Sequence, residues 1–258
     1  MKTDPIIFIF GAGSHVSRNT FKHLKNYQIL GFSKFSKISD ITEFPTVRFK
    51  NIKTLEKKID EIKPKKIVLV FMEALSISNL ILNKSASEIL EEIKVSIINP
   101  HSIVKMVLPI MIRNRWGRII FGGSSRGLKS DVGMSGYVSA KYASLGYCKS
   151  LSKEYARLGI TSNYLSLGLF KSSLLDKIKK NDLENILRNT DTRGLGDCLS
   201  ISHAIDFIIK SKYVTGSVIR VDGGFSWYQK FVVFNNCFNF DIIKVYLRDK
   251  NLKVFKSI

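Results

Sequence analysis

At 258 residues the chain has the length of one compact domain, enough to bury a core without disulfides or a structural metal. Its 41 Lys and Arg against 21 Asp and Glu give a net charge of +20, but the charges are dispersed, which describes a solvated basic surface and no nucleic-acid footprint. The three cysteines, Cys148, Cys198 and Cys237, lack metal-ligand spacing, and the apolar runs fall short of the ~20 residues of a membrane span, so a soluble protein of the reducing cytoplasm is expected, with no metal and no membrane partner.

The first predicted element is the strand IIFIF (6–10), and Gly11-Ala12-Gly13 connects it to a helix carrying Phe21 and Leu24. A glycine turn between strand and helix is where backbone amides meet a dinucleotide pyrophosphate, which makes Gly11, Gly13, Ser14, His15 and Val16 candidate cofactor contacts. Val16 stands where G-x-G-x-x-G has its last glycine, so the loop alone describes a plain turn equally well. The second strand, QILGFS (28–33), ends at Ser33-Lys34. Where an acid would accept hydrogen bonds from the ribose of NAD, this hydroxyl and cation suit the 2′-phosphate of NADP, with NAD as the alternative. The third strand, TVRF (46–49), precedes Asn51, a further candidate cofactor contact, and the segment LEKKIDEI with helical apolar spacing.

Four more strands follow: KIVLVF (66–71), RIIFGG (118–123), TSNYLSL (161–167) and SVIRVDGG (217–224). Seven short β-rich runs alternating with helical stretches predict an α/β fold, a doubly wound seven-stranded parallel sheet of Rossmann type with helices on both faces. The catalytic domain is expected over 1–227, and the Phe-rich 228–258, with a hairpin about Asn235-Asn236, reads as an extension and not a separate domain.

Tyr137 and Lys141 are four apart, which places both on one helix face. A phenol with a pKa near ~10 gives up its proton readily at neutral pH only if a neighbouring cation stabilises the phenolate. The spacing recurs at Tyr246 and Lys250, so context must separate the two pairs. Only Tyr137 follows a strand ending in a serine-rich turn, GRIIFGGSSRG, and leads a helix of small residues.

The segment from Trp116 to Gly168 closely resembles the short-chain dehydrogenase/reductase superfamily, and YVTGSVIRVDGG (213–224) is similar to its final strand signature. The resemblance matches Ser124 to the family's serine, Tyr137 and Lys141 to its Tyr-x-x-x-Lys pair, Asn163 to its strand asparagine and Gly168 to the glycine of its Pro-Gly turn. It implies hydride transfer between a nicotinamide and a carbonyl carbon. Tyr137 is then the proton donor, Ser124 the partner of the substrate oxygen, and Lys141 the group that lowers the phenol pKa and binds the ribose.

Four departures stand out: Phe10, His15 and Ser17 replace the threonine and two glycines of the family's first loop; Phe71-Met72-Glu73-Ala74 replaces its Asn-Asn-Ala-Gly; Leu167 replaces its proline; and the asparagine of its fourth helix falls at Ser96, which retains the ability to hold a water. By resemblance the nearest functional type is a 3-oxoacyl-carrier-protein reductase. The alternatives are a reductase of a sugar or glycan precursor and a divergent member that binds or assembles without turnover. Lys171, Lys177, Lys179, Lys180, Arg188 and Arg193, in the segment expected to cover the pocket, suit an anionic carbonyl or alcohol substrate and equally an exposed helix face. The family's habit, and the Phe-rich tail, imply a homodimer or homotetramer.

Overall fold

The structure is a computed structural model that describes residues 5–34, 44–130, 132–171, 187, 190–192 and 194–225. Seven strands form one all-parallel sheet: β1 (Ile6–Phe10), β2 (Gln28–Ser33), β3 (Thr46–Arg48), β4 (Ile67–Phe71), β5 (Gly117–Gly122), β6 (Ile160–Leu167) and β7 (Val218–Val221). Their order is β3-β2-β1-β4-β5-β6-β7, so the winding reverses between β1 and β4. The expected doubly wound fold is thus present, and the expected strands recur with small changes at their ends. The last is the most shortened: after Val221 the Asp222 carboxylate takes the Gly224 N–H at 3.2 Å, turning the chain out of the sheet.

The helices are α1 (His15–Phe21), α2 (Ile52–Ile62), α3 (Ala86–Ile93), α4 (Asn99–Arg113), α5 (Ser125–Lys129), α6 (Ser135–Tyr155) and α7 (Cys198–Lys210). Leu24, expected inside α1, lies past its end and is still buried. A π-helical turn, Lys94–Ile98, joins α3 to α4 without a break. The continuous helix Ala86–Arg113 corrects the expectation that no stretch rivals a membrane span, because by length and composition it is long and apolar enough to cross one. In the fold it packs on β4 and α6, burying Ile103, Val104, Val107 and Met111.

Every residue of β1 and β4 is buried, as a sheet covered on both faces requires. The period-2 alternation then divides the core. Ile7, Ile9, Val68, Val70, Ile120 and Leu165 form an aliphatic face with Phe21, Ile201, Ile205 and Ile208 of α1 and α7.

The opposite face ends in a ladder of rings across four strands. Phe10 stacks on Phe32 at 4.9 Å and on Phe71 at 5.3 Å, and Phe71 stacks on Phe121 at 5.2 Å, following the strand register. The segment Met1–Phe225 forms one compact unit. The expected C-terminal extension and Lys177, Lys179, Lys180, Arg188 and Arg193 lie outside the described residues.

Candidate active site

The crevice of a doubly wound sheet opens beyond the carboxyl ends of the strands where the winding reverses, here the ends of β1 and β4. Beside it, α6 buries Tyr137, Ala140, Lys141, Ser144 and Cys148, the three-and-four spacing of one helix face. Lys141 is 3% exposed and forms no ion pair with the described residues. Its Nζ donates to Gly122 O at 3.0 Å, at the end of β5, and lies 5.8 Å from the centroid of the Tyr137 ring. Burial pulls the Lys141 ammonium down to about 8.

Ser124 follows β5 and caps α5, its Oγ accepting the Gly127 N–H at 3.1 Å. Gly127 also faces α6: a Cβ there would sit 3.0 Å from Lys141 Cγ and 3.2 Å from Tyr137 Cε1. One glycine therefore touches all three residues of the predicted chemical centre. The Tyr164 ring fills the space under Gly123, where a Cβ would overlap it. Burial pushes the Tyr164 phenol up, the Ser124 backbone N–H acts against this, and the neighbouring Tyr137 adds to the rise.

Ser96 lies inside the π-helical turn and is buried. With Glu73, Phe121, Gly122, Lys141 and Ser144 it lines a cavity with room for about one water. Ser96, expected from the sequence only to be able to hold a water, shares this cavity with Lys141. Insertions of this π type recur at functional sites because they redirect side chains within an otherwise regular helix.

At the glycine loop, Gly11 has φ of +86°, a conformation glycine adopts without steric cost. The amides of Gly11 and Ala12 both donate to Phe32 O at 3.1 Å. Ser14 caps α1 by accepting the Ser17 N–H at 3.0 Å and donates its own proton to Ser17 Oγ at 2.8 Å. Ser17, where the family places glycine, is thus spent on the cap. His15 and Val16 open the helix half-buried, Val16 against the aliphatic face, and Gly13 is also half-buried. Phe10 and Phe71 are buried and stack in the ring ladder, so these two departures exchange polar residues for a stacked pair, and Phe71 also lines the cavity beside Lys141.

Ser33 is buried at the end of β2 and its carbonyl accepts the Phe49 N–H at 2.7 Å, while Lys34 is exposed. Asn51 is the exposed N-cap residue of α2 and makes no side-chain cap bond. Gly168 follows β6 against Asp222, where a Cβ would meet Asp222 Cα at 2.5 Å. Asn163 braces the sheet, donating to Val214 O at 2.9 Å and accepting the Ser217 N–H at 3.2 Å.

The residues fit a nicotinamide dinucleotide on two observations: Gly11 adopts the left-handed turn of a strand-to-helix loop at the switch point, and among the described residues Lys141 spends one of its three donors, on Gly122 O. One group is discordant. Glu73 leans over the glycine loop, its N and Cγ standing 2.8 and 3.0 Å from where a Gly11 Cβ would be. Burial raises its carboxyl, and Lys34 acts in the opposite direction. Sequence reasoning registered Glu73 only as a lost asparagine-rich segment, and it passed over Gly127 and Tyr164 entirely, because no spacing rule links them to Tyr137.

The family model described as "Enoyl-(Acyl carrier protein) reductase" matches residues 50–226. The chain is 31% identical over 232 residues to the 3-oxoacyl-[acyl-carrier-protein] reductase FabG of Buchnera aphidicola subsp. Acyrthosiphon pisum (strain APS), covering 84% of this chain and 95% of the relative. Among solved structures it is similar to 4-hydroxyisoleucine dehydrogenase complexed with NADH, at TM-score 0.79 and 21% identity over 88% of this chain and 100% of that one. ElxO with NADP bound matches at TM-score 0.76 and 20% identity, over 86% of this chain and 99% of that one. At these identities the two structures establish a shared fold.

Proposed function

The chain belongs to the short-chain dehydrogenase/reductase family of oxidoreductases, and on that premise we propose that it interconverts a carbonyl and an alcohol with NADP(H), using Tyr137 as the proton donor. The observation that carries the proposal is Lys141, an ammonium buried beside a phenol with no carboxylate among the described residues to balance it. Such a group costs stability, and perturbed groups of this kind concentrate at functional sites.

Tyr137 gives its hydroxyl proton to the substrate oxygen, and Lys141 stabilises the phenolate that results. Ser124 accepts from Gly127, which orients its hydroxyl and leaves the O–H to donate to the same substrate oxygen. Ser96, with one water in the cavity beside Lys141, offers a path along which the proton is replaced. The nicotinamide cofactor, when bound, supplies or accepts the hydride. Lys141 would hold its ribose, Gly11, Gly13, Ser14, His15 and Val16 would flank its pyrophosphate, and Asn51 and Gly168 would be further contacts of the dinucleotide. Ser33 and Lys34 at the end of β2 favour a 2′-phosphate and hence NADP over NAD.

The relative's name supports a 3-oxoacyl thioester as the substrate class. The exposed Leu90, Ile98, Ile112 and Tyr142, along the Ala86–Arg113 helix and α6, support a homodimer or homotetramer built on that face. A second reading, a family member that binds without turnover, draws on Glu73 alone, since a carboxylate over the glycine loop opposes a pyrophosphate.

A screen of carbonyl substrates with NADPH and NADH, run with Tyr137→Phe beside the unmodified protein, decides between the two. The variant is expected to lose about 10²- to 10⁴-fold in kcat with cofactor affinity intact. Full turnover by Tyr137→Phe refutes the assignment of the acid, and the absence of binding to either cofactor by calorimetry favours the second reading.

A further inference from the structure

Residues 72–85 join β4 to α3 with no helix or strand of their own. Hydrophobic burial does not anchor this segment at its tip, where Leu80, Ile81 and Leu82 are 56%, 77% and 90% exposed. Charge does. The side chains of Lys84 and Glu92 are wholly buried, with Lys84 Nζ 2.9 Å from Glu92 Oε2. Between them they take both backbone polar groups of Ile77: its N–H donates to Glu92 Oε1 at 2.8 Å, and its carbonyl accepts from Lys84 Nζ at 2.5 Å.

The pair also lies against the start of α6. A Cβ on Gly136 would overlap Glu92 Oε2 and come within 2.7 Å of Lys84 Cε, so a side chain at 136 would push the helix off the pair. The same segment reaches the loop entering α6, where the Asn79 N–H donates to Gly133 O at 2.9 Å. The residue after Gly136 is Tyr137.

A buried ion pair contributes little net stability, because desolvation offsets the attraction and an apolar pair of similar volume often does as well. What it imposes is geometry, since each charge is satisfied in one arrangement and removing a partner strands the other. We propose that the Lys84–Glu92 pair is a positioning device for the catalytic turn, locking residues 72–85 against Gly136 so that Tyr137 is held toward Ser124 and Lys141. The inference rests on reading Tyr137 as the proton donor.

Lys84→Met/Glu92→Leu tests it, with the isosteric Glu92→Gln as a second variant should the double substitution fail to fold. Amide hydrogen exchange at Ile77 and at residues 135–138 reads the clamp without any turnover, and kcat, KM and cofactor Kd read its consequence. Exchange at both places is expected to accelerate at least tenfold, and kcat to fall at least tenfold while KM and Kd stay within threefold. Unchanged exchange in the first turn of α6 overturns the clamp, and accelerated exchange with kcat retained overturns its role in catalysis. If the unmodified protein turns over no carbonyl substrate, the reading of Tyr137 fails, and the exchange result still decides whether the pair holds the turn.

Discussion

Lys141→Met separates the stability of the fold from its chemistry. Burial lowers the ammonium from an ordinary 10.5 to about 8, so below pH 8 the folded state carries a charge that it disfavours by roughly 3 kcal/mol. Between about 8 and 10.5 the unfolded chain holds a proton that the folded chain has released, so stability rises with pH across that window and the penalty is fully relieved above it. Methionine has similar length and no charge. It removes the penalty and also the hydrogen bond to Gly122 O, a loss of about 1 kcal/mol.

At pH 7 the variant is therefore expected to be more stable than the parent by about 1–2 kcal/mol, with the advantage gone or reversed by pH 10.5. Urea unfolding of the cofactor-free proteins at pH 6, 7, 9 and 10 measures this, and turnover is expected to be lost throughout. A Lys141→Met protein less stable than its parent at pH 7, or a difference that does not depend on pH, refutes the account of Lys141 as an uncompensated buried charge.

Glu73→Gln is expected to tighten dinucleotide binding about tenfold at pH 7 by removing a carboxylate from the pyrophosphate side of the crevice; because burial raises that carboxyl, the parent's affinity should climb as pH falls, and calorimetry at pH 5.5 and 7.5 checks both. Lys34→Ala should lower the NADPH-to-NADH affinity ratio several-fold, and an unchanged ratio would remove Lys34 from the cofactor site. Gly123→Ala drives a methyl into the Tyr164 ring and should cost about 1–3 kcal/mol in chemical denaturation.

Much of the architecture is legible in the sequence because its signals are local. IIFIF and KIVLVF announce strands buried on both faces, and the four-residue step from Tyr137 to Lys141 survives in the structure as one buried helix face. Other features escape it. Phe10 reads as damage to a phosphate loop, yet its ring stacks on Phe71, which is sixty-one positions away in the chain and adjacent in register. The Ala86–Arg113 helix escapes a count of apolar runs because its charges interrupt the run without interrupting the helix.

By itself the sequence determines which segments are strands and helices, which faces they bury and which residue types arrive near the mouth of the sheet, since each follows from periods of two or about 3.6 residues. Only the tertiary structure decides that Lys141 lacks a counter-ion among the described residues, that Glu73 leans over Gly11 and that Lys84 and Glu92 close on Ile77 beneath Gly136. Those relations depend on strand order, loop path and desolvation, which arise between residues distant in the chain and leave no trace in any short window of it.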